Sequence, residues 1–129
     1  MIVDASALVA IVLREDGWER LLAALDAAEE VAIGAPTLTE TAIVLEAKGV
    51  APTVLPAVLD AAGIAVLPYT HDHARLAAQA FRRFGRGRHP ASLNFGDCIS
   101  YAVADAASAP LLYVGDDFAR TDVRTATTD

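Results

Sequence analysis

The sequence predicts a single three-layer α/β/α domain, residues 1–129, built on a central, mainly parallel sheet of four to five strands. Two observations carry that prediction. Short apolar or β-branched runs alternate with longer helical stripes, in the order β-α-α-β-α-α-β-α-α-β. The strand-to-strand connections are too long for hairpins, so they must be crossovers, which lay helices on both faces of a parallel sheet. At 129 residues the chain can close one hydrophobic core without disulfides.

Each element has a local reason. "MIVDASALVAIVL" opens as a β-branched strand and turns helical after Ser6, read as the N-cap. "GWERLLAALDAA" sets Trp18, Leu21, Leu22 and Leu25 on one helical stripe. "EVAIGAP" is a short buried strand broken by Gly34 and Pro36. "TLTETAIVLEAKG" reads as a helix with a Thr-x-x-Glu capping box, Thr37 and Glu40, closing at Gly49. "APTVLPAVLDAAG" is a helix with Pro52 near its start and Gly63 at its end. "IAVLPY" is a strand stopped by Pro68, and "THDHARLAAQAFRRFG" a helix capped by Thr70 and ended by Gly85. "NFGDCISYAVADAA" is a helix with Asn94 as N-cap, "PLLYVG" a continuous apolar strand, and "VRTATT" a short terminal edge strand.

Composition narrows the classes. One cysteine, Cys98, excludes an intramolecular disulfide and a multi-cysteine zinc cage, which suits a reducing cytoplasm. The apolar run Ala5 to Leu13 is too short to span a bilayer and lacks the basic flank of a signal peptide, so no membrane role is expected. The net charge of −7 argues against a nucleic-acid partner. Its distribution argues the other way. Four of the ten basic residues, Arg82, Arg83, Arg86 and Arg88, fall in "RRFGRGRH" and form one concentrated basic segment.

In open parallel sheets, sites form outside the carboxyl ends of the strands. The acids there are Asp4 after the first strand and the pair Asp116 and Asp117 after the fourth; Glu40 and Asp97 stand in the first turns of helices leading from that end. Each has an ordinary structural reading. Glu40 completes the capping box, Asp97 follows Asn94 by three residues, acids suit a first helical turn, and Asp117 could cap a turn before Thr121. Asp4 is different, because a carboxylate at a buried strand's end costs desolvation unless something compensates it. Carboxylates gathered together repel by about 4 kcal/mol per pair at 4 Å in a medium of effective dielectric 20. A divalent cation relieves that, and an all-oxygen donor set favours Mg²⁺ or Mn²⁺ over zinc.

Four segments also carry a family resemblance. "MIVDASALVAIVLREDG" resembles the opening of PIN-domain ribonucleases, and "PTLTETAIVLEAKG" resembles their second segment. "RGRHPASLNFGDCISYAVA" and "PLLYVGDDFARTDV" are similar to the third and fourth segments of the VapC toxin branch of that family. The four occur in the right order, from residue 2 to residue 123. The resemblance implies metal-site and catalytic acids at Asp4, Glu40, Asp97 and Asp116, with Asp117 not separable from Asp116. It implies supporting roles for Ser6 and Asn94, and contact with RNA phosphate at Arg86 and Arg88. The chain departs from the family at Val114-Gly115, where a lysine often precedes the glycine. The resemblance further implies a cytoplasmic Mg²⁺- or Mn²⁺-dependent endoribonuclease toxin that cuts structured RNA, transfer or ribosomal, with metal-activated water. A cognate VapB-type antitoxin would inhibit it and form hetero-oligomers with it. A homodimer is expected from the apolar helices within residues 17–62.

Rival readings fare worse. A haloacid-dehalogenase-like phosphatase needs a second Asp where Ser6 stands, and a receiver domain needs a lysine near the last strand, whereas the lone Lys48 lies at a helix end. A catalytically silent PIN-fold regulator that binds RNA or a partner is the alternative that remains.

Overall fold

A computed structural model of the chain describes residues 1–126. The elements run β1 (Ile2–Val3), α1 (Ala5–Leu13), α2 (Trp18–Ala27), β2 (Val31–Gly34), α3 (Ala35–Ala47), α4 (Val54–Ala62), β3 (Ile64–Leu67), α5 (His71–Phe84), α6 (Phe95–Ala106) and β4 (Leu111–Leu112). A 3₁₀ turn, Phe118–Arg120, follows. All strand pairs are parallel, in the order β3-β2-β1-β4, with Ile2 beside Ala32 and Leu111, and Val31 beside Ile64. The predicted alternation of strands and helix pairs is the observed one. Of the predicted terminal edge strand, Thr125 makes a single parallel bridge to Leu111, and residues 127 and 128 lie outside the described residues.

Side chains alternate across the sheet, and the two faces collect separate cores. Ile2 and Leu111 point to the layer of α5 and α6, where Ala80, Phe84, Leu93, Tyr101 and Val103 are buried. Val3, Ile33 and Leu112 point to the layer built from α1 to α4, with Leu8, Leu21, Leu25, Leu45 and Leu55. The carboxyl end of β1 leads towards β2 on one side, while β4 docks on its other side. The crevice between the ends of β1 and β4 is therefore the topological switch point of the sheet.

Two helix starts differ from the sequence reading. The N-cap of α1 is Asp4, not Ser6: the Asp4 carboxylate accepts from the Ser6 backbone N–H at 3.1 Å. An aspartate in extended backbone caps as well as serine and stands two residues closer to the strand. Nor do Thr37 and Glu40 form a capping box. α3 starts earlier, at Ala35 after Gly34, because Pro36 is accommodated in a first turn that needs no N–H from it. Thr37 thereby turns into the core and Glu40 moves to the second turn. Elsewhere the caps agree with the sequence. Thr70 and Asn94 cap α5 and α6 with side chains that accept from the backbone N–H three residues on, and Gly63 ends α4 with φ of 65°.

Candidate active site

Asp4 is the fixed point of the site. It is 5 % exposed, and three hydrogen bonds offset the cost of burying its carboxylate. Its Oδ2 accepts from the Ser6 N–H and, at 2.7 Å, from the Ser6 hydroxyl; its Oδ1 accepts from the Ser100 hydroxyl at 2.5 Å. Ser6 Oγ in turn accepts from the Val114 N–H at 3.0 Å. One serine thus links the acid at the end of β1 to the chain leaving β4. Because the Ser100 proton is committed to Asp4, the Thr37 hydroxyl 3.4 Å away is left to donate to Ser100. This relay joins α3, α6 and β1 beneath the acids.

Helical spacing puts two further carboxylates above that relay. Glu40 follows Thr37 by one turn of α3, and Asp97 precedes Ser100 by one turn of α6, so each acid shares a helix face with a buried hydroxyl. Asp97 also performs the capping role read from the sequence. Its Oδ2 accepts from the Asn94 N–H at 3.1 Å, while Asn94 Oδ1 accepts from the Asp97 N–H at 2.9 Å. Burial drives the Asp97 carboxyl upward, the Asn94 bond opposes this, and the charges of Asp4 and Asp117 add to it; the result is pushed up to about 6. Glu40 is raised as well, first by burial and then by Asp4 and Asp97. These acids are close enough to feel one another.

After β4 the chain presents Asp116 and Asp117, both exposed, before the 3₁₀ turn. Asp117 precedes that turn without a side-chain cap bond. Of the two, Asp117 supplies the charge felt at Asp97. The basic segment stands opposite. Residues 85–93 form a closed loop, held by the Arg86 N–H on the Leu93 carbonyl at 3.0 Å and the Leu93 N–H on the Phe84 carbonyl at 2.9 Å. Arg86 is exposed on it and its charge partly relieves Asp97. Arg88 lies 5.6 Å from the Phe81 ring, and Arg83 is paired with Asp122 at 3.1 Å on another face. His89 is structural: its Nδ1 accepts from the Ala91 N–H at 3.0 Å, so its proton sits on Nε2. Cys98 is buried and its thiol is pushed up to about 11, by burial and then by Asp97, as befits packing rather than redox chemistry.

Three members of the site escaped the sequence reading. Ser100 holds Asp4 and Thr37 backs Ser100, and the signal for Ser100 was a lone hydroxyl in the apolar run "CISYAVA", one turn from Asp97. Gly96 is the third. A Cβ there would stand 2.8 Å from Glu40 Oε1, so only glycine lets the Glu40 carboxylate lie against the start of α6.

Among the described residues, no three His, Cys, Asp or Glu side chains stand close enough to clasp one ion as placed. The chemistry of the donor set nonetheless fits a hard divalent cation. The donors are all oxygen, Glu40 and Asp97 are raised by their neighbouring carboxylates, and Asp4 is held in place by two hydroxyls and a backbone N–H. Among the described residues no helix is long and apolar enough to cross a membrane.

Comparison with known proteins points in one direction. The PIN domain family model matches residues 1–124. The chain is 45 % identical over 126 residues to ribonuclease VapC36 of Mycobacterium tuberculosis, covering 95 % of this chain and 91 % of that one. It is 44 % identical over 132 residues to ribonuclease VapC42 of the same organism, covering 99 % and 100 %. Among solved structures, M. tuberculosis VapC20, described as a sarcin-ricin loop cleaving toxin, aligns with a TM-score of 0.73 at 21 % identity, covering 95 % and 98 %. A toxin–antitoxin complex from Klebsiella pneumoniae aligns at 0.72 and 18 %, covering 94 % and 92 %. At those identities the structural likeness speaks for the fold alone.

Proposed function

The chain belongs to the PIN-domain family, and on that premise we propose that it is the ribonuclease toxin of a toxin–antitoxin pair, an endoribonuclease dependent on Mg²⁺ or Mn²⁺. The observation that carries this reading is the carboxylate group at the β1/β4 crevice, where Asp4 is pinned by hydroxyls, Asp4 and Asp97 raise the proton affinity of Glu40, and Asp4 and Asp117 raise that of Asp97. Asp4, Glu40 and Asp97 would hold the ion, with Asp116 or Asp117 completing the set. When bound, the ion supplies Lewis acidity at the scissile phosphate and makes water a competent nucleophile at neutral pH. The protein's own contribution is positional. Ser6 and Ser100 fix the Asp4 carboxylate, Thr37 backs Ser100, Asn94 orients Asp97, and Gly96 leaves room for Glu40. Arg86 and Arg88 offer cations to the RNA phosphates, whose approach an acidic surface would otherwise oppose.

Partners follow from the same reading. A cognate antitoxin of the VapB type would silence the centre by covering it, and a tail bearing an arginine would satisfy the unpaired carboxylates. The apolar groove of about 250 Å³ between α3 and α4, lined by Leu38, Leu55 and Leu59, lies within the helices from which a homodimer was expected. A silent RNA-binding regulator on the same fold would need none of the acids ionised.

The test is cleavage of cellular RNA by the purified toxin. Activity is expected with Mg²⁺ or Mn²⁺, lost in EDTA, and lost in Asp4→Asn while the circular dichroism spectrum is kept. Full cutting by Asp4→Asn would remove that acid from the site. Asp117→Asn is expected to cost more activity than Asp116→Asn, and the reverse order would exchange their roles.

A further inference from the structure

Phe95, the first residue of α6, is 83 % exposed, although it adjoins one of the most buried helices of the molecule. Single exposed apolar side chains are ordinary on a protein surface. This one is not placed at random. It lines a hollow of about 350 Å³ together with Glu40, Asn94, Gly96 and Ile99, at the edge of the carboxylate group. Asn94 caps the helix on one side of it, and Gly96 carries the Glu40 carboxylate on the other.

We propose that Phe95 is the stacking platform for an unpaired RNA base next to the phosphate that the acids receive. The proposal rests on the ribonuclease reading above and deepens it. A chain of net charge −7 has little electrostatic hold on a polyanion, and the carboxylates at the centre repel phosphate directly. Affinity must therefore come from the flanks of the site. Arg86 supplies charge on one flank, close enough to act on Asp97. On the other flank the side chain offered is a bare aromatic ring without hydrogen-bonding atoms, and ring stacking on a base is indifferent to the repulsive charge. A base inside a duplex has both faces covered, so the ring selects loops, bulges and single strands. Phe95 would thus contribute to choosing where on a structured RNA the cut falls.

The probe is a set of RNA hairpins carrying 2-aminopurine at each loop position in turn, bound to the toxin in EDTA so that no cutting occurs. The wild type is expected to quench one loop position. Phe95→Ala should abolish that quench and weaken binding about tenfold, with an unchanged melting temperature because the ring is exposed. Phe95→Trp should restore both. Removing the base at the quenched position should weaken wild-type binding about tenfold and leave Phe95→Ala unaffected. In Mg²⁺, cleavage by Phe95→Ala should fall through KM and not kcat. Equal quenching and cutting by wild type and Phe95→Ala would overturn the proposal, as would a defect confined to antitoxin binding. A wild type that quenches the probe yet never cuts any RNA would sink the ribonuclease reading while leaving the stacking site standing.

Discussion

Asp97 and Asp122 both lean on α6, and their surroundings treat the same carboxyl group in opposite ways. Asp97, at the helix start, is pressed by burial and by Asp4 and Asp117 until its proton is held to about pH 6. Asp122 accepts a short hydrogen bond from the Tyr101 hydroxyl of α6 and pairs with Arg83 of α5; these hold its carboxyl below the usual range. In one place like charges are crowded, and in the other donors and a cation are supplied. The chain can build a satisfied carboxylate and does so where structure is wanted. The crowding at Asp97 therefore marks a place where stability has been given up for binding.

Exchanging the two environments gives the largest expected effect. Asp97→Asn should reduce RNA cleavage at least a hundredfold and at the same time raise Tm, because an amide keeps the bond from the Asn94 N–H and sheds the repulsion. Asp122→Asn should spare cleavage and lower stability by about 1 kcal/mol, chiefly through the Tyr101 bond, since the exposed ion pair to Arg83 adds little. That is about 3–5 °C for a domain of this size. Thermal melts beside a cleavage assay read both. A fall in Tm for Asp97→Asn would mean that the site is not frustrated.

The pH dependence should show the same contrast more gently. Asp97 binds its proton more tightly folded, near pH 6, than unfolded, near 3.8. The native state therefore holds the extra proton between those values, and stability declines as pH rises through about 6. After allowance for the solvent that reaches the side chain, the loss is on the order of 1 kcal/mol. Melts in EDTA at low salt should give a higher Tm at pH 5.5 than at 7.5, with the difference reduced by Asp97→Asn and the remainder carried by the raised Glu40 carboxyl. If Asp97 is the metal-site acid proposed above, cleavage should run oppositely, weakening below about pH 6. The smallest effect is expected at Gly96. Gly96→Ala should cost cleavage about threefold to tenfold by displacing Glu40, a flexible side chain that can yield. Stability should hold or improve by up to about 1 kcal/mol, since alanine favours helix. Unchanged kinetics would show that Glu40 need not rest where it does.

Much of this was legible in the sequence, for physical reasons. Short apolar strand runs and 3.6-period helices recur cleanly, and the crossover rule turns their order into a topology without further information. Convergence of Asp4, Asp97 and the residues after β4 follows from that topology. What was not legible lay in local competition and in depth. The Thr-x-x-Glu signal at Thr37 and Glu40 is a true capping pattern overruled by a helix whose N-cap, Gly34, lies three residues earlier, with Pro36 in its first turn. Ser6 lost the cap to Asp4 because an acid two residues nearer the strand could do that work while also facing the site. Ser100 and Thr37 carry roles that only burial reveals, since a hydroxyl's partner 96 or 63 residues away leaves no periodic trace.

The Ser6 bridge between Asp4 and Val114 has one more consequence, which concerns the birth of the protein. The first acid of the centre is made at residue 4, yet its partners on α6 and after β4 lie about a hundred residues downstream. β1 pairs with β4 only when the final strand of the sheet has been synthesised. Until then Asp4 has neither Ser100 to steady it nor Asp117 beside it. The carboxylate group of the crevice is therefore assembled only after the last strand of the sheet has joined, and no shorter nascent chain holds it.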